Sequence, residues 1–332
     1  MVVLRWLPSS DGEVNIESAR RTHPENTLFM QTRNEQSVRQ GALIGLPIYT
    51  LAKFNGLGKS PKILRGQGMA EAVHKQFDSF RDLDDAKLSD LKEDVGPGNF
   101  RNSVSYLRDI DVIKSASARF LKEEFAVIVG GDCSLVVGSV ASMKEKFTGK
   151  PGMLWMDAHG DFNTPETSPS GYIGGMCLAL ACGRGPRLSA QIESSRPLLH
   201  EDALVHVGSR ALDQLEEKAM RDSEMKLMAS PTIHKEDIGA VAAEAAGFLA
   251  DRSDWIILHL DLDVIDPREM PAVNFAEPDG LSSKAVLAIS KALQSTGKLK
   301  ALEVTSYNPL NDVNGKTGEM VVDLVSRICR NS

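Results

Sequence analysis

The sequence predicts an α/β protein in which helices cover both faces of a mostly parallel sheet. Apolar runs of strand length alternate with segments of helical spacing along the chain. Most of these runs are continuously apolar, which is typical of parallel strands buried on both faces. The composition agrees, because 42% hydrophobic and 25% charged residues are ordinary values for a globular protein.

The two kinds of segment follow one another after residue 40. The continuously apolar segments are predicted strands: 41–51, 125–131, 152–161, 203–210, 225–230, 255–266 and 299–309, with one further short strand allowed in 84–100. The segments with helical spacing are predicted helices: 61–76, 103–123, 134–147, 174–183, 211–222, 236–250, 282–297 and 318–330. Because no linker divides this part, we predict an N-terminal extension over 1–40 and a single domain over 41–332.

Charge and composition exclude several classes of partner. The net charge of −7 and the 5% aromatic content argue against a nucleic-acid-binding protein. No apolar run approaches 18 residues, and the N-terminus lacks the basic start and apolar core of a signal peptide. The four cysteines have neither metal-finger nor disulfide-framework spacing. We therefore expect a cytoplasmic protein that binds a small molecule, without a membrane or nucleic-acid partner.

The strongest chemical signal lies in MDAHGDFNTP, residues 156–165. Asp157, His159 and Asp161 alternate directly after a predicted buried strand, so they point to one side of an extended chain. In LHLDLDVIDP (258–267), Asp261 and Asp263 alternate in the same way. Sites in parallel sheets form at the carboxyl ends of strands, where all five side chains would meet.

Four carboxylates and one imidazole in a single crevice predict a metal centre. Carboxylates that close could not all remain ionised without a cation. The alternative is that they are loop acids or acids that cap helices. Oxygen-rich ligands with one imidazole suit ions such as Mn²⁺, and there are enough carboxylates to bridge two metals.

Three segments together resemble the metal motifs of the arginase/agmatinase (ureohydrolase) family, in the family's order and spacing. They are GGDCS (130–134), DAHGDFNTP (157–165) and HLDLDVIDP (259–267), and the resemblance covers about residues 41–330. It implies a three-layer α/β/α sandwich with a mostly parallel eight-stranded sheet. It also implies two Mn²⁺ ions, a bridging hydroxide as nucleophile, and hydrolysis of C–N bonds in guanidino or formimino groups.

The resemblance also implies a role for each motif residue. Asp157 and Asp261 would bridge the two metals. Cys133 and Asp161 would complete the first site, and His159 and Asp263 the second. As catalytic residues we expect Asp161 and His159, and the resemblance further implies a homo-oligomer, either a trimer or a hexamer.

Cys133 is the first departure, because the family usually has histidine at this position. A thiolate is a softer ligand than imidazole and favours Zn²⁺ or Fe²⁺ over Mn²⁺. We expect Mn²⁺, with Zn²⁺, Fe²⁺ or a single metal as the alternatives that Cys133 opens. Two other interpretations of Cys133 are a small residue that binds no metal, beside a depleted site, and a reactive nucleophile. His259 shares strand parity with Asp261, so it either faces the site or is a hydrogen-bonded core histidine.

Two further departures concern the distal end of the substrate pocket. Arginases carry a proton-shuttling histidine where this chain has Gly174, and a glutamate that holds the guanidinium where it has Ser306. Glu303 cannot replace that glutamate, because its odd separation from Ser306 places it on the opposite strand face. The loop acids Glu277 and Asp279 are the candidate replacements, and we take Glu277 as a catalytic residue. Arginine hydrolysis at ordinary efficiency is therefore not expected.

The amino-acid end of the pocket is retained. Asn163 and Ser170 match arginase residues that bind the α-carboxylate, and Asp213 matches the acid that holds the α-amino group. Ser168 and Ser306 complete the expected substrate contacts. We therefore expect a metal-dependent hydrolase of an amidino- or guanidino-type group on an amino-acid-like substrate. The rivals are a non-catalytic arginase-like protein with a depleted metal site and an ordinary arginase or agmatinase.

Overall fold

In the part of the chain that the structure describes, one eight-stranded sheet has the strand order β2-β1-β3-β8-β7-β4-β5-β6, and all neighbouring strands are parallel. The computed structural model describes residues 38–94, 96 and 98–330. The strands are β1 (Gln40–Leu46), β2 (Ser79–Asp85), β3 (Glu124–Gly130), β4 (Pro151–Met156), β5 (Leu204–Val207), β6 (Lys226–Met228), β7 (Trp255–Asp261) and β8 (Leu299–Thr305). The predicted extension over 1–40 lies outside the described residues up to residue 37.

Helices connect these strands and cover both faces of the sheet. They are α1 (Ser60–Gly66), α2 (Met69–His74), α3 (Ser103–Ser117), α4 (Val136–Lys146), α5 (Cys177–Ala181), α6 (Ala190–Glu193), α7 (Gln214–Arg221), α8 (Ser230–Ile233), α9 (Ile238–Arg252), α10 (Ser283–Gln294) and α11 (Lys316–Cys329). Successive strand residues point to opposite faces, so each strand contributes to two cores. In β3, Ile128 packs in the core with α3 and α4, whereas Val127 and Val129 pack in the core with α9, α10 and α11. The predicted three-layer α/β/α fold is therefore confirmed.

The predicted strands 41–51 and 152–161 end earlier in the structure, at Leu46 and Met156, and three other predicted segments also differ. The short strand lies at Ser79–Asp85 and not within 84–100, because it is a charged edge strand without an apolar run. The predicted helix over 61–76 is divided into α1 and α2, since Gly68 adopts a left-handed conformation with φ 89°. The predicted helix over 103–123 ends at Ser117, after which a turn leads into β3.

Candidate metal centre and substrate pocket

The predicted metal motifs meet at the carboxyl edge of the sheet. β3 leads into Cys133, β4 leads into Asp157, and β7 ends at Asp261, while β8 lies between β3 and β7. The turn after β3 requires glycine, because a Cβ on Gly131 would lie 1.9 Å from the Ile48 carbonyl oxygen. These strand ends line the floor of a cavity of about 450 Å³.

Two groups of potential metal ligands occupy this floor, and Asp157 belongs to both. Ligand atoms of Cys133, Asp157 and Asp261 lie within 4.8 Å of one another, and so do those of Asp157, His159 and Asp263. A carboxylate shared between two groups is the arrangement that a two-metal site requires. The structure thus brings together five of the six side chains that the sequence assigns to the metals.

The Cys133 thiol is directed into the first group. Its Sγ lies 2.8 Å from Asp261 Oδ2 and 3.1 Å from Thr305 Oγ1. Burial raises the pKa of Cys133 well above 9, and the charges of Asp261 and Asp161 raise it further. Without a bound cation the residue is therefore a thiol, and this argues against the reactive-nucleophile interpretation. The ligand and non-ligating interpretations both remain compatible with this position.

His159 holds the second group together. Its Nδ1 lies 3.2 Å from Asp263 Oδ2 and 3.4 Å from Asp157 Oδ1. Burial lowers its pKa, but these two carboxylates outweigh burial and raise the pKa to about 12. Without a bound cation, the protonated ring therefore provides the positive charge that two buried carboxylates require.

Asp161 is the sixth predicted ligand and lies beside the two groups without joining either. It is buried, its backbone has the unusual φ of 47°, and Cys177 Sγ lies 3.5 Å from its Oδ2. Burial raises its pKa well above 3.8, and Asp157 raises it further. The ligand role of Asp161 stays a prediction, and the strained backbone marks a position that the surrounding structure holds in place.

The charge of this cluster favours a cation. Burial raises the pKa of Asp261 to about 7 and also raises that of Asp263, and neighbouring carboxylates add to both effects. A divalent cation would remove this repulsion and restore the ionised carboxylates. The donor set fits divalent metals in chemistry, in burial and in the sharing of Asp157.

Ser306 and Gly174, the two departures at the distal end, have specific local structures. The Ser306 hydroxyl donates to Asp261 Oδ2, and its backbone has φ 69°. A Cβ on Gly174 would lie 2.4 Å from the ring carbon Cζ of Tyr172, so the Tyr172 ring fills the space beside this glycine. Both positions line the cavity.

The predicted amino-acid end forms a connected group. Asn163 Nδ2 donates to Asp213 Oδ2 at 2.9 Å, and Thr167 Oγ1 donates to Asn163 Oδ1 at 2.8 Å. Ser170 is exposed, whereas the buried Ser168 accepts a hydrogen bond from a loop amide. The cavity is lined by all four residues predicted for this end of the pocket: Asn163, Ser168, Ser170 and Asp213.

The two loop acids differ in position. Glu277 lines the cavity, whereas Asp279 is not among its lining residues and has its carbonyl bonded to Ser230 Oγ at 2.7 Å. Only Glu277 therefore remains a candidate acid. Its loop is held by Arg210, whose guanidinium donates to the carbonyls of Glu277 at 3.0 Å and Asp263 at 2.7 Å.

His259 does not face the cavity. Its Nδ1 lies 2.8 Å from Glu303 Oε2, and its ring stacks on Trp155 with centroids 3.7 Å apart. The interpretation as a hydrogen-bonded core histidine fits this structure. Glu303 is likewise fully buried and points away from the cavity, as the strand parity predicts.

Four residues that the sequence analysis did not single out support the site. Trp155 Nε1 donates to Asp157 Oδ2 at 3.1 Å, and Tyr172 Oη donates to Asp132 Oδ2 at 3.3 Å. The fourth is Glu216, which accepts from the Phe162 amide at 2.9 Å and whose pKa burial raises to about 7. Glu216 was detectable in the sequence, since Asp213 and Glu216 have the spacing of a helix capping box.

A parallel sheet with a buried carboxylate cluster at its carboxyl edge defines a class of α/β metal-dependent hydrolases. The arginase family model matches residues 39–330. The arginase of Staphylococcus aureus strain COL is 31% identical over 293 residues, which is 85% of this chain and 94% of that protein. The arginase of Bacillus caldovelox is 28% identical over 290 residues, which is 86% and 97% of the two chains. The solved structure of that arginase is similar with a TM-score of 0.82 and 28% identity, and the match covers 89% of this chain and 99% of that chain.

The chain therefore belongs to the arginase family, as the three motifs predict. Membership indicates a hydrolase acting on amidino groups, in a family that typically depends on two metals. Within the described part of the chain, no helix combines the length and the apolar character that a membrane span requires.

Proposed function

We propose that this protein hydrolyses a linear C–N bond in an amidino- or guanidino-type group, on a substrate with an amino-acid-like handle. The observation that carries the proposal is the pair of ligand groups that share Asp157 on the cavity floor. A cavity of about 450 Å³ above them is suited to a small molecule.

The metals would be held by the side chains already assigned from the motifs. One ion would be held by Cys133, Asp157, Asp161 and Asp261. The other ion would be held by Asp157, His159, Asp261 and Asp263. Bound divalent cations would supply an activated water molecule and stabilise negative charge. We favour Mn²⁺ because oxygen donors predominate, with Zn²⁺ or Fe²⁺ as alternatives if Cys133 binds as a thiolate.

The protein's own residues would perform the proton transfers and the positioning. Asp161 is buried beside both ligand groups and would take the proton of the attacking water. His159 has a side chain that is 26% exposed and would contact the substrate head from the cavity side. Glu277 also lines the cavity and, in place of the histidine that is absent at Gly174, would receive that proton from Asp161 and pass it to the leaving amine.

The two ends of the pocket support an altered substrate. Asn163 and Asp213 would bind the α-carboxylate and α-amino groups, with Ser168 and Ser170 beside them. At the distal end the neutral Ser306 replaces a carboxylate, which favours a head group with weaker positive charge than guanidinium. An N-hydroxylated arginine, or one whose substituent withdraws electrons from the guanidino group, satisfies both conditions.

The test combines metal analysis with a hydrolysis screen. The purified protein is loaded with Mn²⁺ or Zn²⁺ and assayed on guanidino, formimino and hydroxyguanidino amino acids, with urea, formamide and hydroxyurea as the respective products. Asp263→Asn should abolish turnover and lower the metal content. Asp222→Asn, the same change at the exposed residue that directly follows α7, should alter neither.

The screen also separates the rival functions. Less than one metal per chain together with no turnover would support a non-catalytic protein. Efficient release of urea from arginine would support an ordinary arginase, with Ser306 sufficient to hold the head.

Family membership also supports the remaining parts of the proposal. We infer a cytoplasmic homo-oligomer, either a trimer or a hexamer, with a small-molecule substrate and no nucleic-acid partner. Light scattering during size-exclusion chromatography measures the oligomer mass, and a monomer would contradict this inference.

A further inference from the structure

The loop after β4 places an aromatic ring directly over a glycine in the cavity. A Cβ on Gly174 would lie 2.4 Å from Tyr172 Cζ and 2.6 Å from Tyr172 Cε1 and Oη. Heavy atoms cannot approach this closely, so a side chain at 174 and the present position of Tyr172 exclude each other. The position of the Tyr172 ring therefore explains why residue 174 is glycine.

The hydrogen bonds around the Tyr172 hydroxyl fix which partner it donates to. It donates its single hydrogen to Asp132 Oδ2 at 3.3 Å, and the same carboxylate accepts from the amide and hydroxyl of both Thr50 and Ser134. Burial raises the pKa of Tyr172 well above 10, and the charge of Asp132 raises it further. The phenol therefore stays protonated, and only its oxygen lone pairs are available to a ligand in the cavity.

Two other aromatic rings continue this wall. Phe54 lies 5.5 Å from Tyr172 and 5.1 Å from Phe275, measured between ring centroids, and Phe275 lies 5.5 Å from the His159 ring. The wall therefore extends from the Tyr172 phenol to the second ligand group. Tyr172, Phe54 and Phe275 all line the cavity, so they offer aromatic surface to a planar group that carries partial positive charge.

We propose that Tyr172 is a specificity-determining residue: its oxygen accepts a hydrogen bond from an N–H of the amidine-type head, while its ring supports the plane of that head. This inference rests on the proposed function, since it concerns how the same pocket recognises its substrate. The Ser306 hydroxyl also donates its hydrogen, to Asp261, so it too would present an acceptor. Two neutral acceptors and an aromatic face would then bind the head where a carboxylate is absent.

The test compares two ligands that share the amino-acid handle. Nω-hydroxy-L-arginine has an N–H-bearing planar head, whereas L-norleucine has none. Calorimetry on the metal-loaded protein should show that Tyr172→Phe weakens binding of the first ligand about 3- to 10-fold and that of norleucine less than 2-fold. The matched control is Tyr307→Phe, which removes a tyrosine–aspartate bond of 2.9 Å, to Asp312, outside the cavity.

A second pair of variants tests the exclusion between the two positions. Gly174→Ala should displace Tyr172 and produce a loss similar to that of Tyr172→Phe. In a Tyr172→Ala background the same Gly174→Ala change should cost less than 2-fold, because the ring is no longer present. Equal losses in the two backgrounds would contradict the exclusion.

The outcomes for this inference and for the proposed function are separable, because binding does not require turnover. Selective loss in Tyr172→Phe supports the inference even if the ligand is never hydrolysed, in which case only the proposed reaction fails. An unchanged ratio of the two affinities, or no binding of either ligand by the wild type, would overturn the inference. If the wild type hydrolyses the ligand and the ratio of the two affinities is unchanged in Tyr172→Phe, the proposed reaction is supported and only the inference about Tyr172 fails.

Discussion

Replacement of Glu303 by leucine tests the buried support beneath the metal-ligand groups. Glu303 and His259 are both fully buried, with His259 Nδ1 at 2.8 Å from Glu303 Oε2. Ser139 Oγ also donates to this carboxylate. Glu303→Leu would leave the His259 ring nitrogen without its acceptor, in a region that water does not reach, whereas Ser139 Oγ would keep the Val136 carbonyl at 3.1 Å.

The structure sets the magnitude of the loss. Leaving a buried polar group without its hydrogen-bond partner costs about 1–3 kcal/mol. That is a large share of the roughly 5–15 kcal/mol that stabilises a typical domain. Replacing both Glu303 and His259 by leucine removes the unpaired group, so the double variant should lose about 1–3 kcal/mol less than the sum of the single changes.

Urea denaturation of the four proteins in this cycle measures the free energies of unfolding. Glu217→Leu is the control, because Glu217 pairs with Arg221 on the exposed face of α7 and should contribute about 1 kcal/mol or less. A cost below about 1 kcal/mol for Glu303→Leu would refute the reasoning, because a satisfied buried carboxylate cannot be removed so cheaply. If the changes in free energy of unfolding of the two single variants add up to that of the double variant, the coupling between Glu303 and His259 is refuted.

Three other changes probe the site and its surroundings. Cys133→His should raise Mn²⁺ retention after dialysis and lower the preference for Zn²⁺, measured by elemental analysis; unchanged retention would weaken the ligand role of Cys133. Burial lowers the pKa of His206 from 6.5 to about 3. The buried neutral ring therefore makes its full contribution to the free energy of unfolding above pH 6.5, and this contribution is lost as the pH falls towards 3. His206→Leu should therefore reduce the loss of unfolding free energy between pH 7 and 5 by about 2 kcal/mol, and parallel pH curves would contradict this. Arg210→Lys should destabilise the protein by about 1–3 kcal/mol and reduce activity, since one ammonium cannot bond the carbonyls of Gly208, Asp263, Val264, Glu277 and Pro278; an unchanged melting temperature would count against it.

The sequence predicted most of the fold because its central strands are continuously apolar. β3, β4, β7 and β8 are buried on both faces, so their sequences are mostly apolar, with few polar interruptions such as His259 in β7 and Glu303 in β8. The edge strand β2 was misplaced because only one of its seven residues is buried and its sequence is charged. Local pattern identifies an element by burial, and an edge strand that is mostly exposed has little such pattern.

Within the site, the sequence predicted side chains that follow a strand better than those brought in by loops. Asp157 and Asp261 are placed by strand periodicity, which can be read directly from the sequence. Tyr172 and Phe275 meet in space although about a hundred residues separate them, and only the folded loops show that contact. The burial of His259 depends on Trp155 and Glu303 in the strands on either side, which one strand's own pattern cannot show.

The departures from the usual arginase motifs are structurally connected. Cys133 and Ser306 both bond to the same oxygen of Asp261, and Gly174 is matched to the Tyr172 ring. Independent loss of function would remove ligands without supplying such partners, and it would leave cavities or unpaired polar groups. A set of changes that fit one another at the distal end, beside an intact group at Asn163 and Asp213, is what a change of head group would require. This coherence is the structural argument for altered specificity over loss of activity, and the Tyr172→Phe and Cys133→His variants address its two halves separately.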